Sequence, residues 1–266
     1  MNNKKAIGIF DSGIGGLTVL HSIIKALPAE DTIYVGDTAR VPYGTKSVTA
    51  VTNYSLEIGR FLEKMDIKAL VVACNTASAV ALPKLKEAFN IPVIDMIDPA
   101  AGNAVETTQN GHIGVIGTEG TIKSGAYENK IKTFGQKIEV TSIACPLFVP
   151  LAEEGWIDND VALAATRIYL EPFKRSKIDT LILGCTHYPL LKDTIREVIG
   201  DKIALIDSGE TASLCLKEIL KSEKKKEQET VPRRSYFVTD TPDRFLRLGK
   251  RFLGDEIDDV RHIDIP

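Results

Sequence analysis

The sequence predicts an α/β protein of two similar lobes, each a mostly parallel sheet flanked by helices, related by pseudo-two-fold symmetry. Three observations predict it. Short β-branched apolar runs alternate with amphipathic helical patterns over nearly the whole chain. Each run is almost continuously apolar, as expected of strands buried on both faces. The features of the first third then recur, in the same order, further along.

The candidate strands are "AIGIF" (6–10), "TIYVG" (32–36), "ALVVA" (69–73), "PVIDM" (92–96), "IGVIG" (113–117), "KIEVTSI" (137–143), "TLILG" (180–184), "IALID" (203–207) and "SYFVT" (235–239). Between them, "SVTAVTNYSLEIGRFLEKM" (47–65) and "DVALAATRIYLEPFKRSK" (160–177) carry apolar residues at helical spacing. The echo is clearest where "IDTLILGCTHYPLLKDTIREVIGDKIALID" (178–207) reprises "IKALVVACNTASAVALPKLKEAFNIPVIDM" (67–96). The cysteines register 111 residues apart, "IGIFDSG" and "IGVIGTE" 106 apart, and Val41-Pro42 and Val149-Pro150 108 apart. Three echoes in one order argue for repeated lobes. "RRSYFVTDTPDRFLRLGKRFLG" adds one strand and an amphipathic helix beyond the second copy.

Composition narrows the function. A chain of 266 residues, 44% hydrophobic and 26% charged, holds one large or two small domains. The net charge of −3 and a pI near 5.9 leave no basic excess for nucleic acid. No apolar stretch is long enough for a membrane span or a secretory leader, so a cytoplasmic protein is expected. The mixed run "KSEKKKEQET" (221–230) reads as a solvated helix end and linker. Cys74, Cys145, Cys185 and Cys215 include no C-x-x-C pair, which argues against structural zinc; no metal and no cofactor are expected.

In open parallel sheets, ligands bind beyond the carboxyl ends of the strands. Cys74 and Cys185 both stand there, followed by Asn75-Thr76 and Thr186-His187, residues suited to a helix start. Asp11-Ser12 and "DTARVPYG" (37–44) open onto the same edge. An isolated cysteine is most simply packing, and Cys145 and Cys215 are read so. Asp11 alone reads equally well as a cap for the helix starting near Gly15 or Gly16. The "DSGIGG" turn matches only two glycines of a dinucleotide loop, with Thr18 at the third place, and reads better as close backbone approach to a small ligand. Two equivalent thiols facing one ligand have a distinctive use. One removes a proton from a carbon, the other delivers a proton to the opposite face, and the configuration inverts. Thiols titrate at about 8.5, within reach of tuning by a neighbouring His or a helix end.

"GIFDSGIGGLTVL", "VGDTARVPYG", "VVACNTASA" and "ILGCTHYPLL", in this order, resemble the motifs of bacterial glutamate racemases, in the aspartate/glutamate racemase superfamily. The terminal "YFVTDTPDRFLRLGKRFLG" is similar to that family's last segment. The resemblance implies cofactor-independent interconversion of L- and D-glutamate for peptidoglycan, by a homodimer. It implies that Cys74 takes the α-proton of D-glutamate and Cys185 that of L-glutamate, assisted by Asp11 and His187 respectively. Asp11, Ser12, Tyr43, Gly44, Asn75, Thr76, Thr186 and His187 would hold the substrate, with Thr118 and Thr121 as further contacts. With length balance, it places residues 1–98 and 208–266 in the first lobe and 99–207 in the second, with the site between. Alternatives from the residues themselves are a racemase of aspartate or a hydantoin, a pyridoxal phosphate enzyme, for which no lysine context is recognisable, and a module that closes on an acidic amino acid without changing it.

Overall fold

In the computed structural model, which describes residues 5–135, 137–220, 231–253, 257 and 259–265, the chain builds two parallel sheets. The charge run at 221–230 lies outside the described residues. The first sheet has the order β10-β9-β2-β1-β3-β4. It comprises β1 (Ile7–Asp11), β2 (Thr32–Gly36), β3 (Ala69–Val72), β4 (Val93–Ile94), β9 (Arg234–Val238) and β10 (Val260–His262). The second has the order β6-β5-β7-β8, from β5 (His112–Gly117), β6 (Glu139–Ala144), β7 (Thr180–Gly184) and β8 (Ala204–Asp207). The run β2-β1-β3-β4 thus has the same order as β6-β5-β7-β8, and the echo of the sequence is an echo of topology.

Helices α1 (Leu17–Ala26), α2 (Val48–Lys64), α3 (Asn75–Ala88) and α12 (Pro242–Leu253) accompany the first sheet. With the second go α4 (Ile97–Thr107), α5 (Glu119–Ser124), α6 (Ala126–Lys132), α7 (Phe148–Glu154), α8 (Asp160–Leu170), α9 (Phe173–Ser176) and α10 (Lys192–Ile199). Helix α11 (Ser208–Leu220) packs on both α1 and α4 and so lies along the seam. Strand side chains alternate between faces. Ile7, Ile9 and Val71 pack into one apolar cluster of the first sheet; Phe10, Leu70 and Val72 pack into the other. In the second sheet Leu181 and Leu183 join one cluster, and Ile113, Val115 and Ile182 the other. Strands β1, β3 and β7 are buried at every residue, which is why they read as unbroken apolar runs.

Register positions the chemistry. Phe10 pairs with Val72, so Asp11 and the Ala73–Cys74 turn leave the first sheet at one level. Gly117 pairs with Gly184, so Thr118 and Cys185 leave the second sheet together.

Four details depart from the sequence expectation. The strand expected at 92–96 stops at Ile94, because Asp95 Oδ1 accepts from the N–H groups of Ile97 (2.7 Å) and Asp98 (2.8 Å) and so starts α4. The helix expected over 160–177 breaks into α8 and α9 around Pro172, which has no N–H to donate. Strand β10 was not expected: its Val-Arg-His sequence is half-exposed to exposed and carries no apolar run. Cys185 does not directly precede an α-helix. A 3₁₀ turn at Tyr188–Leu191, with Pro189 near its start, comes first, and α10 begins only at Lys192.

Candidate active site

A cavity of about 220 Å³ opens between the carboxyl edges of the two sheets. Asp11, Ser12, Tyr43, Gly44, Cys74, Asn75, Thr76, Thr118, Cys185, Thr186 and His187 all line it. Thr121 stands behind that wall, buried, with its hydroxyl 3.2 Å from Thr76 Oγ1 and 3.0 Å from Thr118 Oγ1; Thr76 and Thr118 are 2.9 Å apart. The three hydroxyls therefore close a ring. Gly44 is pressed against it: a Cβ added there would fall 2.9 Å from Thr118 Cβ. The lining includes no Lys or Arg, so negative charge beside this hydroxyl ring would meet neutral donors. The repeated pairs Val41-Pro42 and Val149-Pro150 also line it.

The Cys74 side follows from β1 and β3. Cys74 occupies the cap position of α3, and its Sγ lies 3.7 Å from Ser12 Oγ. Asp11 Oδ2 accepts from the Gly13 N–H at 2.9 Å, while Oδ1 is buried without a hydrogen-bond partner. Asp11 therefore holds its own turn rather than capping α1, and it keeps one oxygen uncommitted. Burial raises the Asp11 pKa above the usual carboxylate range, opposed by the charge of His187 and by backbone N–H groups. Burial, then the charge of Asp11, pushes Cys74 up to about 12. The unliganded protein thus keeps Cys74 as a thiol near neutrality. Below that value the thiolate fraction rises with pH, and the thiolate is the nucleophile. Labelling of Cys74 by iodoacetamide, read by peptide mass spectrometry, should accelerate about 100-fold between pH 7 and 9; a flat profile contradicts the assigned protonation.

On the opposite side, Cys185 Sγ is 3.8 Å from His187 Nδ1, and His187 Nε2 is 3.2 Å from Glu153 Oε1. Burial would depress the imidazole, but hydrogen bonds to Cys185 and Glu153 outweigh it and carry His187 up to about 10. The His187 hydrogen bond in turn lowers Glu153, against its partial burial. Thr186 Oγ1 lies 3.5 Å from His187 Nδ1, and its carbonyl accepts from Thr18 Oγ1 at 2.8 Å, so α1 of the first lobe grips this loop.

Two site residues spend their side chains on structure. Tyr43 donates its hydroxyl to Asp37, whose carboxylate also receives Arg40 (2.7 Å) and Thr239 (2.9 Å). Asn75 accepts from Tyr127 Oη at 2.7 Å and donates to Ser208 Oγ at 3.3 Å. Among the described residues no group of three His, Cys, Asp or Glu side chains is placed to hold a metal ion.

The profile of the Asp/Glu/hydantoin racemases matches residues 7–213. The chain is 56% identical over 262 residues to a glutamate racemase of Geobacter metallireducens, covering 98% of this chain and 97% of that one. This chain belongs to the Asp/Glu/hydantoin racemase family. Among solved racemase structures, it superposes on a glutamate racemase isoform from Bacillus anthracis with a TM-score of 0.94 at 41% identity, covering 98% of both chains. It superposes on the Francisella tularensis glutamate racemase, determined in complex with D-glutamate, with a TM-score of 0.92 at 38% identity and the same coverage.

Two carboxylates on the cavity wall, Glu119 and Glu153, are not among the residues that the sequence singles out, and of these Glu153 is the one paired with His187. Glu153 sits on α7, four residues and one turn after Val149 of the repeated Val-Pro pair. The signal that leads to it is indirect: Val149-Pro150 echoes Val41-Pro42, which stands within the "DTARVPYG" edge, and one helical turn from Val149 reaches Glu153. Its pairing with His187, 34 residues away, had no local signal.

Proposed function

We propose that the chain is a glutamate racemase working by two-base proton transfer between Cys74 and Cys185. The observation that carries this reading is the pair of thiols at equivalent strand ends of two like-ordered sheets, opening on one cavity, each with its own polar partners. For L-glutamate, the Cys185 thiolate takes the α-hydrogen as a proton. The electron pair of the broken C–H bond spreads into the carboxylate and flattens the carbon. The Cys74 thiol then delivers its proton to the opposite face, and the carbanion pair becomes the new C–H bond. The turnover ends with Cys185 as thiol and Cys74 as thiolate, the state from which D-glutamate is processed in reverse. Every atom that moves comes from the two thiols and the substrate, so this reading requires no cofactor.

His187, backed by Glu153, serves Cys185. Asp11 and Ser12 serve Cys74 and face the substrate ammonium, whose charge would offset the cost of a thiolate beside a buried carboxylate. The hydroxyl ring of Thr76, Thr118 and Thr121, with Gly44, suits the second carboxylate of glutamate through neutral donors. Tyr43, Asn75 and Thr186 complete the walls. D-Glutamate for peptidoglycan, a cytoplasmic location and a homodimer accompany this reading through the family resemblance. Among the described residues no helix is long and apolar enough to cross a membrane.

The decisive experiment incubates the protein with L-glutamate in D₂O without added cofactor. Optical activity should decay to zero as deuterium enters the α-position. Retention of both the L-configuration and the α-protium, with intact thiols, would defeat the proposal. Loss of chirality with aspartate or a hydantoin alone would replace the substrate.

A further inference from the structure

Helix α12 belongs to the segment that rejoins the first sheet through β9, yet three of its side chains close around the Glu153–His187 pair of the second lobe. Arg251 Nη1 donates to the Glu153 carbonyl. Its guanidinium lies against Gly155, where an added Cβ would come within 2.7 Å of Arg251 Cζ; the same glycine has φ +77°, ending α7 in the left-handed region. Arg244 Nη2 stands 3.5 Å from Glu153 Oε2, the oxygen not used by His187. Phe252 meets the His187 ring edge-on, with centroids 5.6 Å apart and an interplanar angle of 85°. Arg244 and Arg251 are seven residues apart, so they project from one flank of the helix. Phe245, Gly249, Phe252 and Leu253 are its buried residues.

We propose that Arg251, assisted by Arg244, is a positioning residue for proton transfer at Cys185. The inference rests on the two-thiol reading above. Arg251 fixes the end of α7 through the Glu153 backbone, and Arg244 holds the outer carboxylate oxygen. Glu153 Oε1 is then presented to His187 Nε2, and this, with Phe252 against the ring, aims Nδ1 at Cys185 Sγ. No atom of either arginine enters the reaction. The latch joins the lobes on the Cys185 side alone, so losing it should unbalance the two half-reactions rather than slow both alike.

Arg251→Met, Arg251→Lys and Arg244→Gln test this through two readouts. The first is the primary deuterium isotope effect on kcat/KM with each α-deuterated enantiomer of glutamate. Because the equilibrium constant ties kcat/KM in the two directions together, asymmetry must be sought in isotope effects rather than in rates. Arg251→Met should turn over roughly tenfold more slowly. Its isotope effect should rise with L-glutamate and fall with D-glutamate, since the Cys185 step becomes limiting. Arg251→Lys, which retains a cation able to reach the carbonyl, should lie between. The second readout is the His187 imidazole titration followed by NMR without substrate, whose midpoint should fall when Glu153 is no longer held at Nε2.

Unchanged isotope-effect asymmetry together with an unchanged His187 midpoint overturns the proposal. A wild-type protein that leaves glutamate untouched overturns the functional reading instead, and the substrate-free titration still decides the latch. If Arg251→Met loses its folded state, Arg244→Gln, at an exposed side chain, carries the same two measurements.

Discussion

Cys74→Ala should abolish racemisation while still exchanging the α-hydrogen of L-glutamate for solvent deuterium, with retention of configuration. Cys185→Ala should do the converse, exchanging only D-glutamate. Each variant keeps one thiol facing one side of the α-carbon, so a proton can be removed and returned on that side, but none arrives from the other. The loss of racemisation should be about 1,000-fold or more, within the range for removing an acid/base group. Serine at either position should do little better, because a hydroxyl is a much weaker acid than a thiol. Proton NMR of the α-position with chiral chromatography separates exchange from inversion. Mild and equal losses in both variants would return the two cysteines to packing. The symmetry of the fold makes the prediction sharp: Cys74 follows β3 and Cys185 follows β7, strands at the same place in their two sheets.

Gly15→Ala should be the most damaging single-methyl change outside the thiols. A Cβ at Gly15 would fall 2.3 Å from Thr186 Oγ1 and 2.4 Å from two atoms of the His187 ring. Real Cβ atoms do not approach so closely, and the neighbours are a buried hydroxyl and a buried imidazole already tied to Cys185 and Glu153. Relief requires the loop carrying Cys185 to move away from the turn after β1, which widens the separation between the two halves of the site. Overpacking of this kind costs about 1–3 kcal/mol of stability. A displacement near 1 Å at the reacting groups costs about 100-fold in turnover. Gly102→Ala inside α4 is the control: the nearest atom, in the Phe134 ring, is at an ordinary 3.5 Å. It should leave turnover intact and be neutral or stabilising by up to about 1 kcal/mol. Thermal unfolding and initial rates on the same preparations distinguish the two losses. A fully active Gly15→Ala protein would show that the loop yields without consequence.

Legibility in the sequence followed burial. Strands such as "TIYVG" and "TLILG" were read to the residue because central strands of a helix-covered parallel sheet are apolar throughout. Strand β10, at the sheet edge, owes its pairing to β9 rather than to its own composition. The Asp95 cap and the Pro172 break are single-residue signals set inside strongly periodic segments, whose periodicity by itself predicts an element that runs on. In the site, Cys74 and Cys185 stood out because each repeats the context of the other. Asp11, Ser12, Thr186 and His187 stood out through their position at strand ends. For Tyr43 and Asn75 the position was legible and the use of the side chain was not, since Asp37, Tyr127 and Ser208 claim those groups through long-range contacts.

The sequence by itself determined the α/β class, the repeated strand order and the two cysteine loops, because these depend on local periodicity and on comparison of the chain with itself. The tertiary structure alone decided what joins the lobes. Thr18 reaches Thr186 across 168 residues, and Arg251 reaches Glu153 across 98. Such contacts depend on how two separately built sheets are set edge to edge. A polar side chain at that seam looks, in the sequence, like any solvated surface residue, because its partner is supplied by a segment with which it shares no pattern.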